Sequence, residues 1–490
     1  MTKFLFTLIF VCSCLTVSGQ TSDLQLSDAV FATSEQISIA AEVGRLQVPE
    51  KRSNENSRFI NINFIRLKSL SKNPLPPLVY LVGGDAPCTW QASNPESLDQ
   101  WLPYLSVSDV ILVDQRGTTD ENLQWIWFDG YPENFLVSEQ EAGDHWKTMA
   151  SRALPAFKEK GIDVTGYTFH ESARDIECLM SALKIDRFSI LGFSSGSTLG
   201  LTLVRLCGDK IENAVLAGAD SPEHTFNLPS FLDKHFQKIA AMSNADPEIS
   251  RVIPDLNYLL ELVIQKLEKK PMEVEVKNPL TGQDMTVKVG PFGLNLILRL
   301  DIDDATDIPV IPRLLYSIDQ GDPGILQWFV QKRVVYAFAI PGNGLNKGIN
   351  SATSAERFNK IDKESIESRF GNIVNFPFYD IRDVWPLTPP ARNHYKIVEN
   401  KVRVLFLSGS LDSRTPPTQA ELYKKEFHNA THLVVENAGH EQILTNPQIT
   451  TAIVDFLSGK EVESVNASYG PIRFIPLSGM NKERYHPSLN

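Results

Sequence analysis

At 490 residues and 42% hydrophobic composition, the chain is long enough for a large folded enzyme and too apolar for a disordered one. A net charge of −12 leaves no excess of basic surface, which argues against nucleic acid or an anionic membrane as a partner. Of five cysteines, Cys12 and Cys14 lie in the leader. Cys88, Cys178 and Cys207 form at most one disulfide, have no metal-site spacing, and include at least one expected buried free thiol.

In chain order, Lys3 and the apolar run Phe4 to Cys12 read as a signal peptide, too short to span a bilayer. Val17-Ser-Gly19 places the expected cut ahead of Gln20, so residues 1–19 are removed and the protein is expected to be secreted or periplasmic. Val11-Cys-Ser-Cys14 offers a lipoprotein anchor as the less favoured alternative. No other run reaches the ~20 apolar residues of a membrane span.

Residues 20 to 35 are polar and read as loose. Ile37 to Val48 and Phe59 to Leu67 alternate with period two around the charged turn Lys51 to Ser57, a hairpin signal. After the proline-rich linker Ser71 to Pro77, Leu78 to Val82 and Val110 to Val113 read as buried strands. Ala173 to Leu183 has helical spacing, Phe188 to Leu191 is a strand, Thr198 to Leu206 a helix and Asn213 to Gly218 a strand. Strands alternating with helices imply a parallel sheet. From Ser221 the pattern changes: helices over 228–268, a polar β-excursion over 272–290, further helices to about Phe338, and a Gly/Asn-rich loop from Gly342 to Ser354. Lys401 to Leu407, His432 to Glu436 and Thr450 to Leu457 resume the strand and helix pattern.

The chemistry gathers on Gly192-Phe-Ser-Ser-Gly196, a G-x-S-x-G nucleophile elbow between a strand and a helix. Ser194 alone has glycine at both flanking positions, which makes Ser194 and not Ser195 the candidate nucleophile. A serine nucleophile needs a histidine base, oriented by a carboxylate, in the chain order Ser, acid, His. Asp412 follows the strand at Val402 to Gly409 and enters the turn Ser413-Arg-Thr-Pro-Pro417; His440 sits on the glycine-preceded loop Asn437-Ala-Gly-His440. Each alone is an ordinary turn or surface residue, but the three stand in the required order at strand ends. The backbone N–H of Ser195 and that of Gly84, with Asp85 next, are the candidate oxyanion donors.

At these residues the chain resembles the prolyl aminopeptidase and tripeptidyl aminopeptidase family of serine exopeptidases. Asp109-Val-Ile-Leu-Val-Asp-Gln-Arg-Gly117 is close to that family's D-V-V-x-x-D-Q-R-G, and Val79-Tyr-Leu-Val-Gly-Gly84 stands where the family has a strand ending in G-G-P-G. Tyr167 to Asp175, Asn278-Pro-Leu-Thr-Gly282 and the turn from Asp412 to Pro417 match as well. The chain departs at Gly83-Gly-Asp-Ala-Pro87, in the Ser-Ser-Gly-Ser of the elbow, and at Asn350 to Glu356, which lacks the family's cap cysteine.

The resemblance implies an α/β-hydrolase fold, a mostly parallel sheet with flanking helices and a large, mainly helical inserted cap. The expected division is core over 20–221, cap over 222–385, core again over 386–465 and a tail over 466–490. It also implies a peptide substrate, no metal or organic cofactor, and cap carboxylates that hold the substrate's ammonium. Glu356 is the candidate for that role, against the competing reading of an exposed helix-start glutamate. Asp114 and Arg116 are expected to form a structural ion pair beside the oxyanion loop. A carboxylesterase with the same triad, or a non-catalytic binding protein on the same fold, are the alternative functions.

Overall fold

The structure is a computed structural model that describes residues 23–84, 87–119, 123, 134–219, 226–278, 281–334, 355–386 and 400–477. The leader, Asp85 and the Gly342 to Ser354 loop lie outside the described residues.

Among the described residues, nine strands form one sheet in the order β1-β2-β3-β5-β4-β6-β7-β10-β11. Three of them, β1 (Leu24–Ala32), β2 (Ser38–Pro49) and β3 (Phe59–Leu67), are antiparallel neighbours. The other six run parallel: β4 (Leu75–Leu81), β5 (Ser108–Val113), β6 (Phe188–Phe193), β7 (Ile211–Ala217), β10 (Arg403–Gly409) and β11 (Ala430–Val435). All six therefore end at one edge of the sheet. A separate antiparallel hairpin, β8 (Met272–Lys277) with β9 (Asp284–Val289), sits in the segment between β7 and β10.

The expectation that residues 20 to 35 are loose is corrected by β1, which pairs with β2 from Leu24↔Leu46 to Ala32↔Ser38. Its residues are half-buried or exposed, the short apolar stretch Ala29 to Ala32 included, and the ladder to β2 makes it a strand. Likewise β4 begins at Leu75, inside the expected linker, because the sheet tolerates Pro76 and Pro77 where the register shifts against β5.

The parallel strands alternate their side chains between two cores. Val79, Leu81, Ile111, Val113, Val404 and Phe406 face one, while Leu78, Tyr80, Val110, Leu112, Leu405 and Leu407 face the other. Both faces are covered, so these strands read as continuous apolar runs. Each fully buried large side chain, such as Phe188 or Phe406, contributes roughly 1.5–3 kcal/mol relative to exposure. The first core takes helices α1 (Glu139–Glu159), α2 (Phe169–Ala182) and α3 (Ser195–Cys207). It runs on into the segment between β7 and β10, with α4 (Pro229–Ala245), α5 (Leu256–Lys269), α6 (Pro291–Asp301) and α7 (Ile311–Asp319), while α8 (Ala355–Glu367) places Ile361 in a separate small cluster with Phe226, Leu228 and Tyr379. That segment leaves the sheet at β7 and returns on the adjacent strand, since Arg403 to Leu407 pairs with Asn213 to Ala217. The closing helix α9 (Pro447–Leu457) packs on the second core.

Candidate active site

Ser194 sits between the end of β6 and the start of α3, with φ 53° and ψ −123°. A non-glycine residue is rarely held there, and the surroundings fix it. Its N–H donates to the Ala217 carbonyl at the end of β7 (2.9 Å), and its own carbonyl accepts from the Ser197 amide (2.8 Å) and hydroxyl (2.6 Å). The flanking glycines are required by close approach. A Cβ on Gly196 would lie 1.9 Å from the Leu81 carbonyl oxygen, and one on Gly192 would lie 2.5 Å from the Gly196 carbonyl oxygen.

The two partners come from the ends of the next strands. His440 Nδ1 lies 2.8 Å from Asp412 Oδ2 and 3.2 Å from Thr415 Oγ1. Asp412 also accepts from the amides of Arg414 and Thr415 (2.9 Å each) and from the Thr415 hydroxyl (2.6 Å). Both residues are buried. Burial alone would raise the Asp412 carboxyl, but the His440 imidazole and the hydrogen bonds from His440 and Thr415 hold it at about 2. Burial likewise disfavours a charged His440, yet Asp412 outweighs it and the imidazole is pushed above its ordinary 6.5. Its ring also meets Phe193, the residue before Ser194, at 5.0 Å between centroids. Among the described residues Ser194 Oγ makes no hydrogen bond to His440. Such contacts often tighten only when substrate is bound.

The other buried histidines are committed elsewhere. His235 Nε2 meets the Ile302 carbonyl at 2.5 Å, and His432 lies between Glu421 and Ser408; burial lowers both imidazoles. Cys88, Cys178 and Cys207 are free thiols, and burial pushes Cys88 and Cys207 up, keeping them protonated.

Gly84 takes φ +66°, the left-handed region that suits glycine, and its carbonyl accepts from Ser195 Oγ at 3.1 Å. The two expected oxyanion donors thus belong to segments tied to each other beside Ser194. The N–H of Ser195 opens α3 and has no intrahelical acceptor. The Asp114 and Arg116 expectation is corrected: they do not pair with each other. Asp114 accepts from the amides of Cys88 (2.7 Å) and Thr89 (2.9 Å), just after the oxyanion loop. Gln115 donates to the Val82 carbonyl (2.9 Å) just before it. Arg116, fully buried, pairs with Asp175 through Nε (2.7 Å) and Nη2 (2.6 Å) and donates to the carbonyls of Glu50 and Gly166.

Glu356 lies exposed in the first turn of α8, and among the described residues no contact joins it to Ser194, Asp412 or His440. Sequence reasoning missed Thr415, whose hydroxyl bridges Asp412 and His440, although the residue stands in the turn that was singled out. It also missed Asp303, whose carbonyl accepts the His440 amide at 2.7 Å and which only an acid-rich run in the insertion could have flagged. Among the described residues no group of three or more His, Cys, Asp or Glu could hold a metal, and no helix is long and apolar enough to cross a membrane.

A family model described as "alpha/beta hydrolase fold" matches residues 92–241, which carry β5, β6, the Ser194 turn and α3. The protein has the α/β-hydrolase fold. A second model of this fold, described as "TAP-like protein", matches residues 380–468, which include Asp412 and His440. Among solved structures, the chain is similar to a hydrolase from Pseudomonas aeruginosa PA01 (14% identity, 88% of this chain and 98% of that one, TM-score 0.32). It is similar to a meta-cleavage product hydrolase from Pseudomonas fluorescens IP01 (13%, 81% and 94%, TM-score 0.34). It is also similar to a thermophilic esterase from Thermogutta terrifontis (14%, 84% and 98%, TM-score 0.34). The comparison with curated proteins gives no match.

Proposed function

We propose that this protein is a secreted serine aminopeptidase that releases residues, singly or as di- or tripeptides, from peptide N-termini. The observation that carries the hydrolase chemistry is the buried Asp412–His440 pair at the sheet edge where Ser194 is held at φ 53°. The aminopeptidase reading is supported by the Asp109 to Gly117 resemblance and the TAP-like match over 380–468.

In the proposed reaction Ser194 Oγ attacks the scissile carbonyl while His440 Nε2 takes its proton. Asp412 holds Nδ1 and stabilises the imidazolium that forms. The oxyanion is received by the N–H groups of Ser195 and Gly84, each such donor contributing about 10²–10³ in kcat. The amine leaves with the proton from His440, and water then hydrolyses the acyl-enzyme with His440 again as base.

The test is a panel of prolyl, alanyl and tripeptidyl arylamides beside p-nitrophenyl esters, assayed with the secreted chain. Turnover of an arylamide that is lost in Ser194→Ala supports the reading. Turnover of esters alone replaces it with a carboxylesterase.

A further inference from the structure

The loop after α6 holds both candidate triad loops at once. Asp303, with a side chain only 1% exposed, accepts the His440 amide on its carbonyl at 2.7 Å. Its carboxylate pairs with Arg414: Oδ2 lies 2.5 Å from Nε, and Oδ1 accepts from Nη2 at 3.2 Å. Arg414 in turn donates its backbone N–H to Asp412 Oδ1 (2.9 Å) and its Nη2 to the Leu300 carbonyl (3.2 Å). The neighbours repeat the pattern. Gln442 donates to Asp304 Oδ1 (2.9 Å) and accepts from the Ala305 amide (3.1 Å), and His235 on α4 meets the Ile302 carbonyl from behind. The approach is so close that a Cβ on Gly439 would lie 2.2 Å from the Asp303 carbonyl oxygen.

We propose that Asp303, acting with Arg414, is a positioning residue of the insertion that sets both the place and the charge of His440 relative to Asp412. The inference rests on the serine-hydrolase reading above. Two segments far apart in sequence meet at His440, Leu300 to Thr306 on the backbone of its loop and Asp412 to Thr415 on its imidazole, so a shift of either moves the base. Displacements of about 1 Å at such a group cost on the order of 10²-fold in rate.

The charged groups facing His440 are Asp412 and Arg414 from the loop after β10, Asp303 from the insertion, and Glu441 on its own loop, which pairs with Arg414 at 3.3 Å. His235 and Lys238 of α4 lie behind Asp303 and Asp412. After Asp412, Arg414 lowers the imidazole's pKa and Asp303 raises it. Removing one member of the ion pair therefore shifts His440 in the opposite direction to removing the other. A purely structural brace would not produce that sign reversal.

The experiment measures the rate of Ser194 modification by a fluorophosphonate against pH, which needs no knowledge of the natural substrate. Full-length wild type is compared with Asp303→Asn, Arg414→Gln and Arg414→Lys. Asp303→Asn should move the acid-limb midpoint down. Its limiting rate should fall about 10-fold. Arg414→Gln should move the midpoint up, and Arg414→Lys should stay near wild type. The Arg414 variants decide the question if Asp303→Asn does not fold. Midpoints that stay at the wild-type value in both Asp303→Asn and Arg414→Gln, with only thermal stability lowered, overturn the inference. A wild-type chain that does not label overturns the serine-hydrolase reading as well, and so the two failures are distinct.

Discussion

Ser194, Asp412 and His440 are separated by 218 and 28 positions in the chain, yet each occupies the first loop after a parallel strand. What singles them out physically is the conflict each embodies: a serine at positive φ, a carboxylate buried and still ionised, and an imidazole buried and still easily protonated. On the proposed reading, the His440 shift has a kinetic consequence. A general base must be neutral, so activity rises with pH as the imidazolium loses its proton. Because Asp412 raises that pKa, the midpoint of the acid limb of kcat/KM should lie above 6.5. In Asp412→Asn the limb should fall to lower pH and kcat should drop about 10⁴-fold. A wild-type midpoint well below 6.5 would mean that another group controls the limb.

At the scale of elements, the Ser194 turn depends on β4 lying against α3. Gly196→Ala places a methyl 1.9 Å from the Leu81 carbonyl oxygen, inside backbone that cannot yield. The variant should lose roughly 3 kcal/mol, the upper end of ordinary overpacking, read as a lowered Tm and reduced soluble yield. Arg116→Met leaves Asp175 buried beside Arg52 alone and should cost roughly 3–5 kcal/mol by thermal melting, with Ser194 labelling retained in the folded fraction. The strands and the Ser194 turn were legible because buried parallel strands are apolar runs and an elbow needs its glycines. Strand β1 was not, because its few apolar residues, such as Leu26 and Val30, stay exposed or half-buried among polar ones, and the ladder to β2 is what fixes it. The 21-residue helix α1, with Pro155 inside it, was not singled out either. The partners of Asp114 and Arg116 were hidden for a different reason: which of many acids or amides a buried charge meets is decided by tertiary packing, and spacing along the chain does not encode it.

At the scale of the whole molecule, the insertion between β7 and β10 shares a hydrophobic core with the sheet and fixes the His440 loop through Asp303. The sequence did not reveal this contact, since Asp303 is one of several acids in a short run. On the proposed reading, the site requires a free α-ammonium on its substrate. N-acetylation of the best peptidyl arylamide should lower kcat/KM about 100-fold or more. Equal turnover of the acetylated compound would make the protein an endopeptidase or a general amidase. All of this depends on Ser194 being the nucleophile. The most direct test is intact-mass and peptide-level detection of a fluorophosphonate adduct on the purified protein. One adduct, located on Ser194 and absent from Ser194→Ala, is the predicted result. No adduct, or an equal adduct in Ser194→Ala, would contradict it.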